Sequence, residues 1–484
     1  MKRIVLAVAL AAAVAAIAVV TLRGPTPAPY PKHNVLLISL CSISTTNMGC
    51  YGYERDTTPQ LDAMIDEAVV FDHAVTQWPK TAPAFASLVT GKYPHTVDVL
   101  RITPGRYLAD EHVTLGEVFR DGGYATGAFL TSVAIGRKTN IPRGFDVLVE
   151  SWRSPRRYQV ATNRAIEWIS ESREQPFFAW VHLNSAHYAY VSHAERRDVF
   201  IDDEHYDATR KLPPLDTEVP ADLLRLPEDY PNRRQILRPD FGTSKRRFGE
   251  RPDQLDYYVA LYDAGIRAAD MRIGELLAAL AENGQLDDTI VAIVGDHGEA
   301  LGGHQYYFEH GRLPYDDCAR VPMLLRLPRG DHRRRVAEPV PASSLAPTLY
   351  ELVGLDVPEG TELPSLRAVI EGEPYDQVVF GESGYHPEFM ISARDDRWKL
   401  IHVPNEWDRV LMQGGEYELY DLVADPGETN DLSAEHPDVV ERLAAEIEAF
   451  AAPWRDRVYG SEPNEGAEID EVYRERLRAL GYLD

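Results

Sequence analysis

Asp296 and His297 are the residues of this sequence best placed to do chemistry. They follow residues 290–294, five apolar or β-branched positions closed by Gly295, and an unbroken apolar run of that length is the pattern of a strand buried on both faces. Ligands of open α/β sheets sit beyond the carboxyl ends of the strands. There a carboxylate beside an imidazole offers a divalent cation a hard and a borderline donor. Taken alone, the pair also reads as an aspartate capping the next turn followed by a polar loop residue, so its surroundings have to decide. Thr81 is the second candidate. Pro83 suits the first turn of a helix, residues 84–89 are apolar or good helix formers, and Gly91 is a natural stop. Thr81 therefore falls just ahead of a helix N-terminus, where an anion, or a nucleophile attacking one, is stabilised. The competing reading is an N-cap threonine.

The elements that must position these residues are a set of short apolar runs. Residues 33–40 predict a first strand ending at Cys41 and Ser42; residues 124–130, 177–182 and 321–327 predict further strands, and the second of these leads to Asn184, Ser185, Ala186 and His187. Helical spacing marks residues 61–71, 161–169, 255–281 and 347–354. Strands alternating with helices predict an α/β fold with a mostly parallel central sheet flanked by helices. From residue 376 the pattern changes to strands at 378–381, 389–394, 398–402 and 417–422, then a helix at 437–450, which predicts a small C-terminal antiparallel sheet plus helix. An acidic tail from residue 461 carries a helical segment at 473–480. Residues 192–254 lack apolar periodicity and read as an insertion; the basic cluster at 329–335 reads as a solvated loop.

A chain of 484 residues has room for two domains of unequal size. Its net charge of -26 argues against a nucleic-acid partner, and an anionic substrate would need a local positive site. Three cysteines are too few for a disulfide scaffold. Lys2 and Arg3 precede an uncharged run at 4–22, then a Pro-rich stretch at 24–31. That is the pattern of a signal-anchor and stiff spacer (residues 1–32), which places everything after it outside the cytoplasm, periplasmic or extracellular, and secreted if the segment is cleaved.

The blocks NVLLIS at 34–39, GCYGYERDTTPQLD at 49–62, SLVTGKYPH at 87–95, DHGEAL at 296–301, RVP at 320–322, LAPTL at 345–349 and ELYDLVADPGETNDL at 418–432 together resemble the sulfatases of the alkaline-phosphatase superfamily. The resemblance implies a catalytic domain over 33–375, with the insertion at 192–254, and a C-terminal subdomain over 376–484. It also implies a metal at the strand ends, a nucleophile at a helix start and basic side chains around the ester. Asp296 and His297 match two metal-ligand positions. His187 resembles the histidine that contacts the ester, His310 falls near another cationic contact, and Arg137 or Lys138 resembles a sulfate-contacting lysine.

Three departures concern the centre of the site. Cys41, followed by Ser42, stands where the family's first strand ends in a metal-binding aspartate. Thr81-Ala82-Pro83-Ala84-Phe85 replaces the pattern Cys or Ser, any residue, Pro, any residue, Arg. Threonine carries a methyl group on its β-carbon and cannot be oxidised to formylglycine, so no formylglycine is expected, and Phe85 removes a cation. Related phosphodiesterases and phosphoethanolamine transferases use a threonine oxygen activated by metal. Cys41 as a thiolate would complete a Cys, Asp, His set that suits zinc better than calcium; it is otherwise a small buried residue or the disulfide partner of Cys50. The expectation is a metal-dependent hydrolase of sulfate or phosphate esters, holding one divalent ion, zinc or calcium. Its substrate would be an anionic ester, a sulfated or phosphorylated glycan, lipid or small molecule. The alternatives are a catalytically degenerate binding protein and a phosphoryl-group transferase.

Overall fold

The apolar runs become one sheet because residues on both of its faces find a helix to pack against. In the computed structural model, which describes residues 28–100, 107–171, 173–187, 190, 198–212, 251–330, 332–385 and 388–456, the strands are β1 (Asn34–Leu40), β2 (Val69–Val75), β3 (Ala125–Leu130), β4 (Val147–Glu150), β5 (Phe177–Leu183), β6 (Thr289–Gly295), the short hairpin β7 (Ala300–Leu301) and β8 (Tyr307–Glu309), β9 (Arg320–Arg326) and β10 (Arg334–Pro341). Eight of them form a sheet in the order β10-β2-β9-β6-β1-β5-β3-β4. All pairings are parallel except the two made by β9. Along β1, Val35 and Leu37 pack with the Thr81–Thr90 and Leu345–Val353 helices. The alternate residues Leu36, Ile38 and Leu40 pack with the Arg157–Ile169 and Leu255–Glu282 helices. Burial on both faces is why the central strands read as continuous apolar runs.

The helix expected over 61–71 is a correction. The α-helix stops at Met64, a 3-10 turn covers Ile65–Glu67, and β2 begins at Val69. Val69, Val70 and Phe71 are claimed by pairing to β10 on one side and β9 on the other, and such tertiary pairing overrides a local helical period. The basic stretch is likewise only partly loop. Arg334 and Arg335 open β10, where Arg335 bonds Asp72 at 2.6 Å, and Arg333 pairs with Asp66 at 2.7 Å. Cys41 and Cys50 are both free buried thiols, so the disulfide alternative is not realised. The apolar run at 4–22 and the helix expected at 473–480 lie outside the described residues, as does most of the insertion. Among the described residues no helix is long and apolar enough to cross a membrane.

The C-terminal sheet has the order β11 (Val379–Tyr385), β12 (Glu388–Arg394), β13 (Trp398–His402), β14 (Tyr417–Asp421), antiparallel throughout. The Pro437–Ala451 helix covers it through Leu443, Ile447 and Ala451. Buried charges join this subdomain to the larger one. Lys399 Nζ lies 2.8 Å from Asp316 Oδ1 and 2.6 Å from Glu428 Oε1, and Arg394 donates to Asp316 Oδ2 at 2.8 Å. Burial opposes ionisation of Asp316, but Arg394 and Lys399 outweigh it and hold the carboxyl well below the usual range. Its contribution to stability is therefore present at neutral pH and lost only as pH falls through that depressed value. Lys399→Met leaves two buried carboxylates short of a partner and is expected to cost about 3 kcal/mol, read as a lower urea midpoint.

Candidate active site

Three strand ends and one helix start meet at the carboxyl edge of the sheet. β1 lies between β5 and β6, and main-chain bonds tie the three ends together: Cys41 N donates to Leu183 O at 2.9 Å and Asp296 N to Leu40 O at 3.0 Å. Thr81 is the first residue of its helix, and Lys80 is the N-cap, without a side-chain capping bond. The N-cap reading of Thr81 thus fails, and its hydroxyl faces the strand ends instead. Thr81 Oγ1 lies 3.1 Å from His297 Nε2 and 3.7 Å from Cys41 Sγ.

Main chain sets the tautomer of His297. Its Nδ1 is 2.8 Å from the carbonyl oxygen of Gly298, which can only accept, so Nδ1 carries the proton and Nε2 presents a lone pair to the threonine hydroxyl. Burial holds this imidazole well below its usual pKa, and the charges of His310, His187 and Lys80 push the same way. Asp296 Oδ1 accepts from Ser42 N at 3.2 Å and from His297 N at 2.7 Å. Its Oδ2, 3.5 Å from His297 Nε2, is buried without a hydrogen-bond partner among the described residues. Burial pushes the Asp296 carboxyl up to about 7, and burial followed by the Asp296 charge pushes the Cys41 thiol up.

Cys41, Asp296 and His297 bring one ligand atom each within 4.8 Å of one another. An unpartnered carboxylate oxygen, a buried thiol and an imidazole with its outer nitrogen fixed by a carbonyl are a donor set that fits a divalent cation, with zinc favoured by the sulfur. As bare charges the two acids are costly at this depth, and a cation inverts that balance.

His187 and His310 join the cluster. The His310 ring stacks on His297 at 4.1 Å between centroids and meets His187 edge-on at 5.2 Å, and its Nδ1 is 3.4 Å from Glu299 Oε1. Arg137 and Lys138 are not brought into this buried group. They are exposed on the turn after β3, where Arg137 N donates to Glu150 Oε1 at 3.0 Å. Phe85 is fully buried against Trp180 and His182, with centroids at 5.5 and 5.1 Å. Sequence reasoning missed Glu299, which supports His310, and Lys80, whose stem lies on Gly311. Both adjoin residues already singled out, Glu299 inside the DHGE block and Lys80 beside Thr81, and that adjacency was the available signal.

Fold and site define an α/β protein with a buried threonine hydroxyl, imidazoles and a metal-type donor set at the carboxyl edge of its sheet. The family description "Sulfatase" matches residues 33–355, and the C-terminal description "N-sulphoglucosamine sulphohydrolase, C-terminal" matches residues 302–452. The chain belongs to the sulfatase family and is a sulfatase-family hydrolase. It is 22% identical to an N-acetylglucosamine-6-O-sulfatase of Bacteroides thetaiotaomicron, covering 90% of this chain and 88% of that protein. It is 24% identical to a Delta 4,5-hexuronate-2-O-sulfatase of the same organism, covering 85% and 87%. A solved structure of the phosphonate monoester hydrolase of Agrobacterium radiobacter shares the fold with a TM-score of 0.67 at 21% identity, covering 87% of this chain and 96% of that one. Another, in complex with its substrate D-glucosamine-2-N,6-O-disulfate, has a TM-score of 0.66 at 20% identity, covering 90% and 99%.

Gly298 offers a test of how the site is held. Its N–H donates to Cys318 O at 2.8 Å, and an added Cβ would collide with the carbonyl oxygen of Asp317. Gly298→Ala must shift the loop that orients His297. It is expected to weaken zinc binding roughly 10- to 100-fold in calorimetry while the far-UV dichroism is unchanged.

Proposed function

We propose that this chain hydrolyses sulfate esters, with Thr81 as nucleophile and one divalent cation, zinc, held by Cys41, Asp296 and His297. The observation that carries the reading is the Thr81 hydroxyl at 3.1 Å from His297 Nε2 inside that donor set. A bound cation would supply Lewis-acid charge that makes the hydroxyl more acidic and draws negative charge from the ester. Thr81 Oγ1 gives its proton to water and forms the bond to sulfur, because the Asp296 carboxylate and the one lone pair of His297, at Nε2, are taken up as ligands. The sulfur–oxygen bond to the alcohol breaks, and the leaving oxygen takes its proton from His310 or His187, across the cluster. Water then hydrolyses the threonyl sulfate. Relatives that act on sulfated sugars support a sulfated glycan or its fragments as the substrate class.

Thr81→Ala is expected to lower turnover of an aryl sulfate on the order of a thousandfold or more with zinc content intact; an unchanged rate removes Thr81 from the mechanism. Chelation should abolish activity and zinc restore it, whereas restoration by calcium alone would exclude the thiolate as ligand. The uncharged run at 4–22 supports anchoring to the membrane with the catalytic domain outside the cytoplasm. Protein lacking residues 1–27 should then leave the membrane fraction, and a soluble full-length protein with its N-terminus intact would refute the anchor.

A further inference from the structure

We infer that Lys80 is a catalytic residue, the cation that pairs with the anionic oxygens of the ester beside Thr81. The inference deepens the reading just given and rests on it for the identity of the anion. A chain of net charge -26 that admits an anionic ester has to place positive charge locally. Cys41 and Asp296 supply none. Phe85 is sealed against Trp180 and His182, and Arg137 and Lys138 are exposed, the Arg137 guanidinium facing Glu150 at 3.7 Å.

Lys80 has the position these residues lack. It immediately precedes the nucleophile and caps the helix with an extended main chain, φ -150 and ψ 141, so its carbonyl accepts the first helical bond from Ala84 N at 3.0 Å. Its stem then crosses to the loop that carries His310. A Cβ on Gly311 would meet Lys80 Cδ at 2.9 Å and Cβ and Cγ at 3.3 Å. Gly311 itself sits at φ +93, which side chains rarely adopt, so the lysine stem lies where no residue but glycine leaves room. The His310 ring next to it stacks on His297, and the Lys80 charge is felt at that buried imidazole. The Thr81 helix thus opens on an uncapped first turn, and the Lys80 stem beside it lies against the loop that carries His310. An anion there would meet helix N–H groups and an ammonium together.

The test compares full-length wild type with Lys80→Met, Lys80→Gln and Lys80→Arg, measuring affinity for inorganic sulfate by calorimetry and turnover of an aryl sulfate. Loss of the charge in Met or Gln is expected to weaken sulfate roughly tenfold and lower kcat on the order of 100-fold, with zinc content unchanged. Arginine keeps the charge and should recover most of the sulfate affinity. Sulfate binding in the Met and Gln variants equal to wild type overturns the inference. So does an arginine variant as weak as both, which would mark lost packing on Gly311, and so does a wild type that takes up no sulfate. Sulfate binding that depends on Lys80 in a protein without ester turnover supports the inference and defeats the hydrolase reading instead.

Discussion

A single main-chain contact governs the chemistry of the site: the carbonyl of Gly298 holds the Nδ1 proton of His297 at 2.8 Å. That bond leaves the Nε2 lone pair pointed at Thr81, and the same glycine is pinned from the other side by Cys318 O. Side chains near the site therefore inherit their geometry from backbone, which fluctuates less than a long side chain would. The stacked His310 and the buried Asp296 depend on that ring being where it is.

The three departures from the family pattern form a coherent set in space. Phe85, one turn along the helix that begins at Thr81, packs with Trp180 and His182 into a fully buried, largely apolar wall. An apolar wall strengthens whatever electrostatic interaction remains in front of it, and what remains is a donor set of sulfur, carboxylate and imidazole.

Much of this was legible in the sequence because the central strands are buried on both faces and announce themselves as apolar runs. β1, β5 and β6, with the polar residues just beyond them, put Cys41, His187, Asp296 and His297 at one edge on residue pattern alone. β2 was hidden. Asp72 and His73 interrupt its apolar run, and the helical spacing from Leu61 continues into it, so only its pairing with β9 and β10 reveals the strand. For Lys80 the sequence offered only its adjacency to Thr81; its contact with Gly311, remote in sequence, is of a kind no local pattern reports. The surface position of Arg137 and Lys138 was equally invisible, since a basic pair in a turn reads the same whether it faces a site or solvent.

The buried bridge from Lys399 to Asp316 also bears on where the molecule can be divided. Asp316 opens the short helix Asp316–Ala319, which carries Cys318, the residue whose carbonyl fixes Gly298, so a lysine on β13 braces the loop of His297 from a segment that sequence pattern assigns to another domain. Recombination of modules at residue 376 would exchange part of the hinge on which His297 hangs.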